Sequence, residues 1–204
     1  MTALSRRALL EHNSGVWNGL FVRLDPTGVE QTRFATVLRV QEEADQVVAV
    51  LTDCTTGQVR TMRFAELPAA MQVDANGHWT LGPDPFTPWN WTHELCLVHG
   101  QQRRRLIVRG NAAGLQSVVV VQEARAGVQL MDPATPLNCS IATHGSRQSW
   151  SLQPDVRMVL DERSCSLQWL QSSGNWLNIT RHYGVDGTLL ALPFSAVADA
   201  DHHG

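Results

Sequence analysis

The chain has 204 residues, 43% apolar and 17% charged, with a net charge of −3. This is enough apolar content for a sizeable core, in one large β domain or two small ones, and too little positive charge to draw the protein to nucleic acid or an anionic membrane. All 16 basic side chains are arginine, which excludes a Schiff-base lysine, a P-loop lysine and a lysine general base.

The four cysteines (Cys54, Cys96, Cys139 and Cys165) form no CxxC and no zinc spacing. No apolar run approaches the ~18 residues of a membrane span. Arg6 and Arg7 are not followed by the apolar core of a signal peptide. The expectation is a cytoplasmic protein with reduced thiols and no metal site.

The predicted elements begin with a short helix over Thr2–Asn13, where Leu4, Ala8 and Leu9 recur at helical spacing. It stops at Ser14-Gly15. A strand follows from Val16 to Leu24, and period two puts Trp17, Gly19, Phe21 and Arg23 on one face. Asp25-Pro26-Thr27-Gly28 is a turn signal. Further strands are expected at about 29–41, 46–53 and 58–65. An irregular stretch and a Pro-rich loop, Gly82 to Pro88, then lead to Trp89.

Three antiparallel strands are expected between Trp89 and Arg125, joined by short polar turns. Charges interrupt their apolar runs. Arg103 and Arg105 share a face, Glu94 shares one with Cys96, and Glu123 shares one with Arg125. Buried charges of this kind need partners or a polar ligand. Four more strands are expected at about 137–143, 156–161, 165–171 and 175–183, with a last one at 188–192. Residues 196–204 read as a disordered tail, and residues 1–195 as a single domain.

Many short strands, one helix and no crossovers predict an all-β antiparallel up-and-down barrel of about eight to ten strands. Such a barrel is either packed with side chains or holds one small ligand. Enzyme motifs are missing: there is no G-x-S-x-G, HExxH or Gly-rich phosphate loop. Cys96 lies three strand residues from both His93 and His99, hence on the opposite face from each. The two histidines would be ~20 Å apart, too far to share a metal.

Gly15-Val16-Trp17, at the end of a helix and the start of a strand, resembles the lipocalin opening. The longer run Gly15-Val-Trp17-Asn-Gly19-Leu-Phe21-Val-Arg23, with the Gly28 turn, resembles the DUF3598 type of calycin family common in cyanobacteria. So do His93-Glu94-Leu95, Arg103-Arg-Arg105-Leu-Ile, Val121-Gln-Glu123, and the hairpin through Arg181-His182-Tyr183 and Asp186-Gly187. The chain departs from that pattern at Gln122, where an Arg is expected, at His182, and in its short C-terminus.

The resemblance implies a lipocalin-like barrel with Trp17 at its floor and a late-strand arginine, Arg125 or Arg181, packed across it. It also implies, through the distantly similar S- and T-type phycobiliprotein lyases, a linear tetrapyrrole (bilin) as ligand and an apo-phycobiliprotein as partner. A bilin needs arginines for its propionates, a carboxylate near its pyrrole nitrogens and aromatic walls. Arg23, Arg103 and Arg105 are the candidates for the first, Glu94 or Glu123 for the second (as proton donor), and Trp89 and Trp91 for the third. The alternative is a ligand-free barrel serving as a structural or interaction module, with Glu94 and Glu123 simply pairing with the arginines. Arginines that point inward and lack partners favour the ligand. Arginines that point outward, or are matched to the glutamates, favour the module.

Overall fold

The computed structural model describes residues 3–130 and 133–192. The expected tail at 196–204 lies outside them. Helix α1 (Ala3–Asn13) is followed by strands β1 (Gly15–Leu24), β2 (Glu30–Glu43), β3 (Gln46–Asp53) and β4 (Val59–Phe64). Strands β5 (Gln72–Val73), β6 (Trp79–Leu81), β7 (Asn90–His99), β8 (Gln102–Asn111) and β9 (Gly114–Arg125) come next.

All nine strands form one antiparallel sheet, in the order β4-β3-β2-β1-β9-β8-β7-β6-β5. Strand β9 returns to β1, with Trp17 opposite Arg125 and Phe21 opposite Val121. This is the expected up-and-down order with a single seam, between β4 and β5. The result is a curled half-barrel of calycin type.

The later strands do not extend this wall. Strands β10 (Cys139–His144), β11 (Arg147–Leu152), β12 (Val156–Asp161), β13 (Ser164–Leu170) and β14 (Trp176–His182) make a separate five-stranded meander. The expected strand at 188–192 is reduced to an isolated bridge between Tyr183 and Leu189. Strand β11 was not among the expected strands; its Trp150 and Leu152 carry it into the core, each at 1% exposure.

The second sheet covers the outer face of the half-barrel. Leu95, Leu97, Leu106, Val108, Val118 and Val120 meet Trp150, Leu152, Met158, Leu167 and Trp169 in one cluster. Burying each such side chain contributes about 1.5–3 kcal/mol. Strands β7 to β9 are therefore buried on both faces, which explains why they read as nearly continuous apolar runs such as Val118–Val121. It also sorts the arginine triplet. Arg103 and Arg105 point into the half-barrel, and Arg104 points out, beneath the second sheet, where its Nη2 lies 2.6 Å from Asp155 Oδ2.

Candidate functional site

The half-barrel is closed at one end by α1. Asn13, the last helical residue, is buried and ties that end together. Its main-chain oxygen accepts from Trp17 Nε1 at 2.9 Å, its Nδ2 donates to Gly77 O, and its Oδ1 accepts from Arg103 Nη1 and Trp79 Nε1. Trp17 is fully buried, with the guanidinium of Arg125 at 4.1 Å from its ring centroid and that of Arg103 at 4.3 Å. Arg125 also donates to the main-chain oxygens of His12 and Ser14 and so caps the negative end of α1. Of the two arginines implied for this place, it is Arg125 that packs on Trp17.

Above this floor runs a ladder of charges. Arg103 Nε lies 2.6 Å from Glu123 Oε2, Arg105 Nη1 is 3.2 Å from Glu123 Oε1, and Arg105 Nη2 is 2.5 Å from Glu94 Oε1. Glu123 has 0% exposure and Arg103 2%; the Glu94 side chain, at 22%, is where the ladder reaches solvent. Gly19 leaves room for it: a Cβ there would meet Thr36 Oγ1 at 2.6 Å and Glu123 Cγ at 3.0 Å.

Burial works to raise the Glu123 pKa, but the charges and hydrogen bonds of Arg103 and Arg105 outweigh it and hold the carboxyl below its ordinary value. A carboxylate so held has no proton to give near neutral pH, so the proton-donor role considered for Glu123 is not one this geometry supplies. Burial pushes the Cys96 thiol up to about 12, and it stays an inert core group.

The arginines thus point inward and are also matched to the two glutamates. The match is incomplete. Two buried donors, Arg103 Nη2 and Arg105 Nε, have no acceptor among the described residues.

Towards the open end the wall turns apolar. Phe21, Ile107, Val119 and Val121 form a cluster with Phe34 and Leu51, and Phe21 stacks on Phe34 with centroids 5.3 Å apart. Arg23, in register with Val119, is exposed on the same face, as are Arg60 and Arg109. Phe34, Leu51, Arg60 and Arg109 were not anticipated. The signal for Phe34 was available, because the hairpin at Gly28 carries the Phe21 face onto β2.

Other anticipated residues lie elsewhere. Trp91 is one residue out of phase with Glu94 and points to the outer face, stacked on His93 at 4.9 Å between centroids. Trp89 precedes β7 and is 74% exposed. Trp91 does not join the arginines, because period two fixes the face of every residue on β7, and Trp89 lies outside the strand.

Arg181 belongs to the second sheet. It donates to the main-chain oxygens of Ala70, Gly82 and Pro83, to Thr80 Oγ1, and to the Tyr183 hydroxyl at 2.5 Å. It clamps the Pro-rich loop to β14. Beside it, burial and then the Arg181 charge push the His93 pKa down to about 3. Among the described residues no group of three His, Cys, Asp or Glu is placed to hold a metal ion, and no helix is long and apolar enough to cross a membrane.

No curated protein matches this chain. Among solved structures, the crystal structure of a protein of unknown function from the DUF3598 family of Nostoc punctiforme PCC 73102 is similar, with a TM-score of 0.71 and 16% identity over 94% of this chain and 97% of that one. At that identity the likeness speaks for the fold. Residues 5–128 match the N-terminal domain of unknown function DUF3598, a span that ends just after β9, where the barrel sheet ends. The chain belongs to the DUF3598 family.

Proposed function

We propose that the half-barrel is a seat for one small amphipathic anion, with a linear tetrapyrrole as the ligand class and delivery of that pigment to an apo-phycobiliprotein as its use. The observation that supports this reading is the incomplete pairing of the ladder: two buried N–H donors, Arg103 Nη2 and Arg105 Nε, are left over beneath an apolar wall. A ligand carboxylate entering past Glu94 would take the unpaired donor of Arg105 and compete with Glu94 for its Nη2. Phe21 and Phe34 would then flank the apolar body, in place of the tryptophans first considered, and Arg23 would meet a second carboxylate at the rim. No protein nucleophile is needed, because the attacking thiol of a lyase reaction belongs to the partner; the barrel supplies orientation.

A second reading, the ligand-free module, is favoured by the close pairing of Arg103 and Arg105 with Glu94 and Glu123. An absorbance titration with phycocyanobilin and biliverdin, with retinal as the uncharged control, separates the two. The ligand reading expects a saturable, red-shifted bilin band and no response to retinal. Arg105→Gln should weaken binding tenfold or more, roughly the value of a charged hydrogen bond, and Glu94→Gln should strengthen it by removing the competing carboxylate. A folded protein that changes the spectrum of neither bilin is the packed module.

A further inference from the structure

The half-barrel is a cup, and one side of its floor is fastened by an imidazole. Strand β6 pairs with β7 through Trp79 opposite Cys96, Thr80 opposite Leu95 and Leu81 opposite Glu94. Two residues further along β7, the same register would bring the Val98 N–H to the Gly77 carbonyl. That carbonyl is taken by Asn13 Nδ2, at 3.0 Å. Val98 N–H donates instead to His78 Nδ1, at 3.1 Å and buried.

The bond fixes the state of the ring. A nitrogen that accepts carries no proton, so the neutral His78 ring holds its hydrogen on Nε2. A ring protonated on both nitrogens has no acceptor left, and its Nδ1–H would face the Val98 N–H, donor against donor.

The turn before β6 hangs on the same residue. His78 N donates to Asp74 Oδ1, His78 O accepts from Asp74 N, and Gly77 N donates to Asp74 O. His12 of α1 lies so close to Gly77 that a Cβ there would collide with it. Burial opposes a second proton on His78 most strongly and holds its pKa below the ordinary histidine value; Asp74 in the turn favours that proton, and His12 on α1 and His99 at the end of β7 oppose it. The far end of β6 is held differently, by Arg181 donating to Thr80 Oγ1 and Gly82 O, where nothing loses an acceptor on mild acidification.

We infer that His78 is a pH-operated latch: when its ring takes a second proton, the Asp74–Gly77 turn lets go of β7 and of the end of α1, and the cup opens locally at its floor while β6 stays pinned at Arg181. The latch is independent of what the cup binds.

Nuclear magnetic resonance of the full chain tests this. Near neutral pH the His78 ring should show Nε2–H and a bare Nδ1. Below pH ~6.5 the amides of Asn76, Gly77, His78 and Val98 should lose protection against exchange by about tenfold, the worth of one buried hydrogen bond. The midpoint should match the titration of the His78 ring, and β8 and β9 should keep their protection. His78→Asn places an oxygen that does not titrate where Nδ1 stands and should abolish the transition. Asp74→Asn, which keeps the acceptor oxygen of the turn, should move the midpoint to lower pH. The inference is overturned by an Nδ1–H ring at neutral pH, by protection that does not change while the ring titrates, by a ring that stays neutral until β8 and β9 open as well, or by the same transition in His78→Asn. Should that variant not fold, an unmoved midpoint in Asp74→Asn overturns it alone.

Discussion

The molecule buries arginine in two ways. In the cup, Arg103 and Arg105 are neutralised by carboxylates, one of them with no exposure at all. Between the second sheet and the Pro-rich loop, Arg181 is equally buried but is held by main-chain oxygens and two hydroxyls, and no carboxylate among the described residues pairs with it. The first arrangement depends on another side chain keeping its charge. The second depends on the path of the backbone. Side chains can be replaced in pairs, whereas carbonyl groups cannot be removed, and the two regions should therefore fail differently.

The largest effect is expected in the cup. Glu123→Leu strands the Arg103 guanidinium in a dry site, leaves Arg105 with Glu94 alone, and should cost about 3–5 kcal/mol, read as a shift of the urea midpoint. Adding Arg103→Met and Arg105→Met to that variant should recover most of the loss, because the buried charges are then gone and the Glu94 carboxylate that remains reaches solvent. At the clamp, Arg181→Met leaves the oxygens of Ala70 and Gly82 without the donors that hold them, while Pro83 O keeps only the Tyr183 hydroxyl, and should cost about 2–4 kcal/mol. No second substitution should restore it, and amide exchange in the Pro-rich loop should rise.

Acid separates the regions further. His93, beside the clamp, has a folded pKa of about 3, below the ~6.5 of an unfolded histidine. Its contribution is complete above that unfolded value and is lost as the pH falls towards 3, since the unfolded chain takes the proton first. The slope approaches about 1.4 kcal/mol per pH unit for this one group. Buried His78 is shifted in the same direction and adds to it. Glu123, also depressed, contributes above the unfolded carboxylate value and is lost only below about pH 4.3. His93→Phe should flatten the melting-temperature profile between pH 6.5 and 4.5 without altering the steeper acid limb. The smallest effect on stability belongs to Arg23→Ser at the exposed rim, within about 0.5 kcal/mol; if the cup binds bilins, the same change should lower their affinity.

Much of this was readable in the sequence. Hairpin signals and alternation pointed to seven of the nine half-barrel strands; β5 and β6, two and three residues long, lay in the stretch read as irregular. Period two alone put Trp17, Gly19, Phe21 and Arg23 on one face, and Arg103 with Arg105. What failed had local causes. Trp89 and Trp91 were grouped with the arginines by nearness in sequence, yet one residue of phase sends Trp91 to the far side of the wall. Asp155, the partner of Arg104, is 51 residues away, in the turn between β11 and β12, so no spacing rule could reveal it. The second sheet was hidden for a similar reason. Its strands alternate like barrel strands, and only the doubly apolar β7 to β9 signalled that something must cover them outside.

The seam between β4 and β5 makes this barrel a split ring. In a closed ring the circumference is fixed by an unbroken hydrogen-bond ladder, and widening it means breaking that ladder. Here the two lips can part or close with every ladder bond intact, at the expense of side-chain packing alone. The lip at β4 carries Arg60 and Arg63, charges that discourage another strand from zipping onto it. The diameter of the half-barrel is thereby a soft coordinate.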